Sequence, residues 1–534
     1  MQTVLLATSD PRLWEKARSH FSPPIHWVIP FTAENLTVAV TLGWVKPEVI
    51  EGDSCLGMQG FHRSEGVFGP ITWLNTPPNK TLIEWQYRVD GIVSDQVHLL
   101  PKLASVAHRE TELLLSSELL QTHSLCLERR ARSLFFKGLP PRDRPSRPRH
   151  VLIIGAGLAG AFCAWSLAQR GIRCTVLDAG PVPGSGASAL YAGLLHPHWQ
   201  ANESPLFRLT RLGFHRMLSL LQRFPDCFEA TGVLELAQDE QSFENDRAMV
   251  AQNALRMPSD MGHLVEAHFA SNYSLTPQTT GGWWYPKAGI VKAGRLVRRL
   301  LEEANAQVLT NVSVSLRHLD GNWGALYGGE PIAKGDQVIV AAGLNSPSIV
   351  GLAEQDYALS GLYGRLSLIP ESEHSQHAMA LTGRGYLVKS QDGFVAVGAT
   401  YESLEEGIWS PQTAHEHNQA LFSKLLPDTR AQLAHVGFYE GIRAVARDRM
   451  PLAGPALSRE LVASTHFKGL PEVGKLPVET GLWFCCGLGS RGITWGLICA
   501  ESVVADMLGE TPVLEASLRR AIHPGRWIRH RLVA

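Results

Sequence analysis

Six consecutive residues, Gly155-Ala156-Gly157-Leu158-Ala159-Gly160, have the spacing that lets a chain hold a diphosphate with its own backbone. They follow an apolar strand, Val151 to Ile154, and open an apolar helix, Ala159 to Arg170, which is the setting a G-x-G-x-x-G loop requires. Gly155 permits the tight turn, Gly157 lets a pyrophosphate approach without meeting a Cβ, and Gly160 lets the helix lie close on the strand. Amides at the helix start, with a dipole equivalent to about half a positive charge, then stabilise the anion without a basic side chain. A second strand, Cys174 to Asp178, ends about twenty residues on in a carboxylate able to accept hydrogen bonds from ribose hydroxyls. This pattern points to a dinucleotide and does not separate NAD from FAD; a flexible glycine turn is the alternative.

Other segments have small residues where a ligand would need room. Gly184-Ser185-Gly186-Ala187-Ser188 and the following Ala192-Gly193-Leu194-Leu195-His196-Pro197 either admit a flat ring and a second phosphate to the main chain or form a surface turn. Val338 to Gly343 reads as a buried strand ending in Ala341, Ala342 and Gly343, shaped for ligand approach or simply for the core. Gly487-Leu488-Gly489-Ser490-Arg491-Gly492-Ile493-Thr494 leads into an apolar helix, Leu497 to Leu508, so its amides and positive helix end can face flavin pyrimidine carbonyls. Arg491 either sits near that flavin or caps the loop. His196 and His198 suggest a metal only weakly, since no further ligands stand at useful spacing; packing or surface roles fit better.

The elements that must position these residues begin with a β-α-β unit from Val151 to Asp178, the start of a doubly wound domain. Before it, residues 1 to about 125 show a strand-like opening at Thr3 to Ala7, a short helix and an apolar stretch near Trp27 to Phe31. Leucines from about Gln96 to Phe136 recur at roughly helical spacing and predict one or two helices there. Four prolines and four arginines between Lys137 and His150 predict an extended, solvated linker. A chain of 534 residues needs more than one core, and 45% hydrophobic with 19% charged residues is the composition of a globular enzyme. A formal net charge of -1 leaves any polyanion partner to local patches. Arg129, Arg130, Arg132, Lys137, Arg142, Arg144, Arg147 and Arg149 form one such patch, and Arg519, Arg520, Arg526, Arg529 and Arg531 another. A solvated linker and a soluble tail are the alternatives. Eight scattered cysteines without C-x-x-C spacing suit a reducing compartment and argue against zinc. No secretory signal is expected at the N-terminus, and the apolar run Val151 to Ala168 reads as a phosphate loop rather than a membrane span, so a cytoplasmic protein is expected.

Taken together, these segments resemble the D-amino acid oxidase superfamily of FAD enzymes, and within it the oxidoreductase part of the MnmC family of tRNA wobble-uridine modification proteins. The resemblance runs from about Pro148 to Arg531 and includes Gly281-Gly282-Trp283-Trp284-Tyr285-Pro286, Gly364-Arg365-Leu366-Ser367, Gly383-Arg384-Gly385-Tyr386, Gly398-Ala399-Thr400 and His523-Pro524. It implies an α/β fold: a doubly wound, glutathione-reductase-type FAD-binding domain, interleaved with an α+β substrate domain and preceded by a separate N-terminal region. FAD-binding segments are expected at about 148–230, 290–350 and 435–534, substrate-domain segments at about 231–289 and 351–434, and a region of unassigned role at 1–147. It adds Ala179 and Val312 to the FAD-contacting positions. Two departures stand out. After Ser188 the family usually continues Gly-Asn, Gln-Gly and Tyr-Pro, where this chain has Ala189-Leu190, Ala192-Gly193 and His196-Pro197, so polar contacts near the flavin are expected to be lost. Residues 1–147 are too short for the family's methyltransferase and lack its glycine-rich loop, so that activity is not expected.

The implied substrate is 5-carboxymethylaminomethyl-uridine in tRNA. Hydride leaves the carbon next to nitrogen for the flavin, water hydrolyses the imine to glyoxylate and 5-aminomethyl-uridine, and dioxygen or another acceptor reoxidises the flavin. Arg443 is the expected carboxylate clamp, since a bidentate contact fixes direction as well as charge; an ion pair with Asp448 is its alternative. Tyr386 either lines the substrate face or is a buried aromatic with a satisfied hydroxyl. A small-molecule amine oxidase acting on glycine, sarcosine or a D-amino acid, and a non-catalytic flavoprotein or tRNA-binding scaffold, are the competing readings.

Overall fold

Val151-Leu152-Ile153-Ile154 is apolar on both faces and fully buried, as a strand inside a parallel sheet must be. The structure is a computed structural model. It describes most of residues 2–45, the strands at 60–66, 69–75, 89–94 and 107–115, and, from 146 on, all but 191, 199–203, 254–259, 371–379, 390–392, 428–436, 464–472, 474–475, 511 and 528–534. The chain divides into two units, Met1–Arg147 with Val504–Arg519, and Pro148–Val503 with Arg520–Ala534.

In the second unit, His150–Ile154 lies within a six-stranded sheet ordered Gln307–Leu309, Arg173–Leu177, His150–Ile154, Gln337–Val340, Val478–Cys486, Leu452–Leu457. The first five run parallel and the last antiparallel. Ile154 pairs with Leu177 on one side and with Val340 on the other, so Gly155, Asp178 and Ala341 leave the sheet side by side. The chain's order across the sheet reverses between those neighbours, which is where open α/β sheets take their ligands. Leu152, Ile154, Leu177, Val340, Tyr357 and Phe484 fill the core on one face. A nine-stranded sheet forms the second layer, ordered His263–Val265, Gly282–Tyr285, Val233–Leu236, Ala380–Thr382, Tyr386–Lys389, Phe394–Gly398, Leu359–Pro370 and Glu402–Ser403, with Gly437–Ala446 also paired to Leu359–Pro370. The strand Gly437–Ala446 was expected among the FAD-binding segments; by its hydrogen bonds it belongs to this second sheet. A three-stranded sheet of Phe228–Glu229, Gly289–Val291 and Gly193–Leu195 completes the part that concerns the site.

The first unit is a six-stranded sheet ordered Gly60–Gly66, Gly69–Asn75, Ile25–Pro30, Gln2–Ala7, Val89–Ser94, Ala107–Leu115, parallel except for its first pair. Helix Pro11–His20 contributes Trp14 to a core where Trp44 meets Trp14 and Trp27 edge-on at 5.0 and 4.7 Å. The helix expected over the leucines is, at Ala107–Leu115, a strand parallel to Val89–Ser94. A continuous leucine run satisfies helix and strand equally when periodicity alone is read.

Candidate functional site

The turn after His150–Ile154 owes its shape to two missing side chains. Gly155 sits at φ +112°, and a Cβ there would lie 2.5 Å from the carbonyl oxygen of Ala341, an atom fixed in the neighbouring chain segment. Gly160 packs so closely on the Gly155 carbonyl that no side chain fits between them. Helix Leu158–Ala168 then begins with no acidic residue in its first turn to repel an anion. Asp178 leaves the adjacent strand and accepts hydrogen bonds from Ala156 N–H at 2.5 Å and Gly180 N–H at 2.7 Å, fixing Ala179 between them. Val312 N–H donates to the Asp178 main-chain carbonyl at 2.9 Å, which brings that expected position beside the end of the strand. Ala341 N–H donates to Ile154 O at 2.8 Å, and Ala342 and Gly343 follow into a short turn.

Ser188 contributes a contact that the sequence did not suggest. Its Oγ accepts the Leu158 N–H at 2.9 Å, and a Cβ on Gly157 would lie 3.0 Å from it. Among the described residues this is the one side chain bonded to an amide of the helix start, so a hydroxyl, not a bulky group, stands where a phosphate oxygen would bind. The glycine turn, the strand-end carboxylate and the uncharged helix end fit a dinucleotide.

The far end of the site is gathered by the strand Gly437–Ala446. Successive side chains of a strand alternate in direction, and every second residue here faces the cofactor loops. Tyr439 OH donates to Ala187 O at 3.1 Å, while Gly441 packs on Ala187, where a Cβ would come within 3.0 Å of its Cα. Arg443 donates to Ser490 Oγ at 3.1 Å, and Val445 bridges Leu488. Gly487 and Gly489 adopt φ of +67° and +55°, turning the chain into helix Gly492–Met507, which begins five residues earlier than expected and takes Ile493 and Thr494 into its first turn. Gly193 presses on the Ile493 side chain, so Gly193 and Leu194 run beside that helix start. Gly492 lies 3.7 Å, measured from a built Cβ, from Leu158, so the two glycine-loop helices begin close together. Gly186 is met by the Tyr439 hydroxyl at 3.4 Å.

Arg443 is not paired with Asp448. Its guanidinium donates to Ser490 Oγ and, at 2.9 Å, to Thr400 O, and lies 4.4 Å over the Tyr401 ring. Asp448 instead takes a two-pronged contact from Arg526 at 2.8 and 3.0 Å. Tyr386 donates its hydroxyl to Ala192 O at 2.5 Å, and burial pushes its phenol well above the ordinary value; it holds the loop that carries Gly193. Arg491 lies over Trp495 at 5.0 Å, and burial pulls its guanidinium below the usual value. Tyr439, Thr400 and Tyr401 were missed by the sequence reading. For Tyr439 a signal existed: it stands at the same parity as Gly441 and Arg443.

The expected basic patches fare differently. Arg129 to Arg144, and Arg529 and Arg531, lie outside the described residues. Arg519 pairs with Asp506 at 2.9 Å and Arg526 with Asp448, so the fold supplies acids that the local sequence lacks. Among the described residues no group of three His, Cys, Asp or Glu side chains could hold a metal, and no helix is long and apolar enough to cross a membrane. The run Val151 to Ala168 is a strand, a turn and a short helix.

A sheet with its dinucleotide loop at the switch point, and a second sheet facing it through Arg443, define a dinucleotide-binding α/β protein. The family model for DAO, FAD dependent oxidoreductase, matches residues 150–507, and the chain belongs to that family, whose cofactor is FAD. It is 32% identical over 410 residues to the tRNA 5-methylaminomethyl-2-thiouridine biosynthesis bifunctional protein MnmC of Ralstonia nicotianae, a match covering 73% of this chain and 62% of that protein. The MnmC of Burkholderia pseudomallei is 30% identical over 407 residues, covering 73% and 61%. The chain thus spans about three fifths of the length of these relatives. Among solved structures, glycine oxidase from Geobacillus kaustophilus superposes with a TM-score of 0.56 at 19% identity, covering 71% of this chain and 98% of that one. Iminodiacetate oxidase from Chelativorans sp. BNC1 gives 0.53 at 22%, covering 68% and 96%.

Proposed function

We propose that this chain is a cytoplasmic FAD-dependent amine oxidoreductase acting on CH–NH donors, and that it removes the carboxymethyl group from 5-carboxymethylaminomethyl-uridine at the tRNA wobble position. The products are 5-aminomethyl-uridine and glyoxylate. Arg443 carries the reading. It projects from the second sheet to the loop that opens helix Gly492–Met507, and its two protein hydrogen bonds use two of its five N–H groups. Three remain to grip a carboxylate, and the neutral partners Ser490 and Thr400 aim the fork without neutralising it.

FAD, when bound, supplies the two-electron acceptor for the C–H bond beside the substrate nitrogen, and dioxygen is the expected final acceptor. Gly155, Gly157, Gly160 and the amides of Leu158 and Ala159 would receive its pyrophosphate, with Ala156, whose own amide is held by Asp178, lining the turn, and Asp178, Ala179 and Val312 at the adenosine end. Gly186, Ala187, Ser188, Gly193, Leu194, Ala341, Ala342 and Gly343 would border it, and Gly487 to Thr494 would face the isoalloxazine. Arg443 anchors the carboxymethyl group, and Tyr386 fixes the loop against which the substrate lies. Orientation of the amine then depends on a single charged anchor, and water completes the cleavage by hydrolysing the imine.

Incubation of the purified protein with tRNA bearing the carboxymethylaminomethyl group is expected to bleach the flavin and yield the aminomethyl nucleoside by mass spectrometry. Absence of both rejects the reading. A small-molecule amine oxidase is the second reading, favoured by the pairing of Arg519 and Arg526 with acids, which removes two cations available to RNA phosphates. Bleaching by sarcosine or glycine, with none by tRNA, would establish it.

A further inference from the structure

Beyond the cofactor loops, the segment His196-Pro197-His198 leaves strand Gly193–Leu195 and meets strand Val233–Leu236 of the nine-stranded sheet. His198 Nδ1 lies 3.3 Å from Glu235 Oε1, and Tyr285 OH donates to Glu235 Oε2 at 2.9 Å, so each carboxylate oxygen has a partner. The Glu235 side chain is 19% exposed, whereas that of His198 is 38% exposed and keeps an open edge. His196 stacks at 5.6 Å on Tyr285, which is itself buried, with its own Nδ1 3.2 Å from Pro197 O. Asp246, on helix Glu240–Asn253, accepts the Trp283 indole N–H at 3.0 Å. Arg491, from the loop before helix Gly492–Met507, faces the group closely enough that its charge opposes protonation of both imidazoles.

The pair joins the loop that runs beside the helix start at Ile493 to the second sheet. Glu235 is held by two partners, while among the described residues His198 is engaged through Nδ1 alone, which leaves Nε2 to exchange a proton. That is the arrangement of an oriented base. A substrate that arrives as the ammonium has no lone pair to support hydride loss, so its proton must first leave. Resting on the amine reading, we propose that His198, oriented by Glu235, accepts the proton the substrate ammonium loses before its C–H bond is oxidised. The N–H bond breaks with its electron pair staying on nitrogen, the proton passes to Nε2 of His198, and the open edge of the ring returns it to solvent.

The charges around the pair favour this assignment. Burial would raise the Glu235 carboxyl, but the hydrogen bond and charge of His198 overcome it and bring it down to about 2, so Glu235 stays ionised throughout the working range. The Glu235 hydrogen bond in turn lifts the His198 imidazole above its ordinary value, against burial and Arg491. Burial lowers the His196 imidazole beside it, and burial raises the Asp246 carboxyl. His198 is therefore the imidazole of the cluster whose protonated form the fold favours.

The test uses the full FAD-loaded chain and stopped-flow bleaching by the modified tRNA across about pH 5 to 9. The wild-type rate is expected to rise with pH along one limb. His198→Gln removes that limb and slows bleaching at neutral pH by about 100-fold, with the rate recovering in alkali, where solvent deprotonates the amine. Glu235→Gln moves the limb to lower pH, because the charge that lifts His198 is gone. NMR titration of the histidine ring protons provides a readout independent of turnover: the resonance absent from His198→Gln is expected to titrate lower in Glu235→Gln. A limb unchanged in both variants, or a His198 titration unmoved by Glu235→Gln, overturns the proposal while leaving the function intact. If tRNA fails to bleach the wild type, the tRNA reading falls and sarcosine becomes the reductant for the same variants; failure of both removes the amine reading and this inference together.

Discussion

Replacing Arg443 tests the anchor most directly. Its guanidinium is held by Ser490 Oγ at 3.1 Å and Thr400 O at 2.9 Å and lies over Tyr401, so it is preorganised before any substrate arrives. A carboxylate gripped by two of its remaining N–H groups gains two charge-assisted hydrogen bonds of about 1.5 to 3 kcal/mol each. Arg443→Ala should therefore lose about 3 to 6 kcal/mol, or about 150- to 25,000-fold in kcat/KM for flavin reduction. Arg443→Lys keeps the charge but not the fork, and should fall midway on a logarithmic scale. FAD content should stay at the wild-type level, because the bonds lost lie on a half-buried side chain with neutral partners. Stopped-flow bleaching with the modified tRNA, beside the visible spectrum of each variant, separates the two effects. A rate for Arg443→Ala within about threefold of wild type would show that the fork holds no carboxylate, since even one lost charge-assisted bond costs about tenfold.

Gly155→Ala forces a Cβ against the Ala341 carbonyl at φ +112° and should cost about 2 to 6 kcal/mol, from backbone strain and overpacking together; purified protein lacking the flavin spectrum is the expected result, and full FAD occupancy would contradict it. Ser188→Ala leaves the Leu158 N–H without its acceptor, so the flavin-free form should lose about 1 kcal/mol, seen as a slightly lower Tm, while the FAD-loaded form, whose phosphate oxygen takes that amide, should not. Acidification should act through Glu235. Its folded value is depressed from 4.5 to about 2, so its contribution is present above 4.5 and lost as pH falls through about 2. The unfolding midpoint should drop across that window, and less so in Glu235→Gln.

Where function is written in adjacent residues, it could be read before folding. The loop from Gly155 to Gly160, the carboxylate of Asp178 and the small residues from Ala341 form one constellation because short strands deliver their ends to one edge. The partners of Arg443 come from positions some forty residues away on either side, and no local pattern announces them. Distance in sequence also hid the acids that meet Arg519 and Arg526: the C-terminal arginines look unopposed until Asp506 and Asp448 fold against them. The Glu235 partner of His198 was hidden for the same reason, being distant in sequence. At Ala107–Leu115 the difficulty was different, since three adjacent leucines carry no period.

From Tyr439 to Val445 the strand Gly437–Ala446 advances six residues, about 20 Å. One end touches the turn at Ala187 and the other the turn at Leu488, so a single strand sets the spacing between two of the proposed cofactor loops. Arg443, the proposed anchor for the substrate, is mounted on that same strand. A descendant of this chain that took a different amine would need to exchange the fitting at position 443, and could leave the spacing alone.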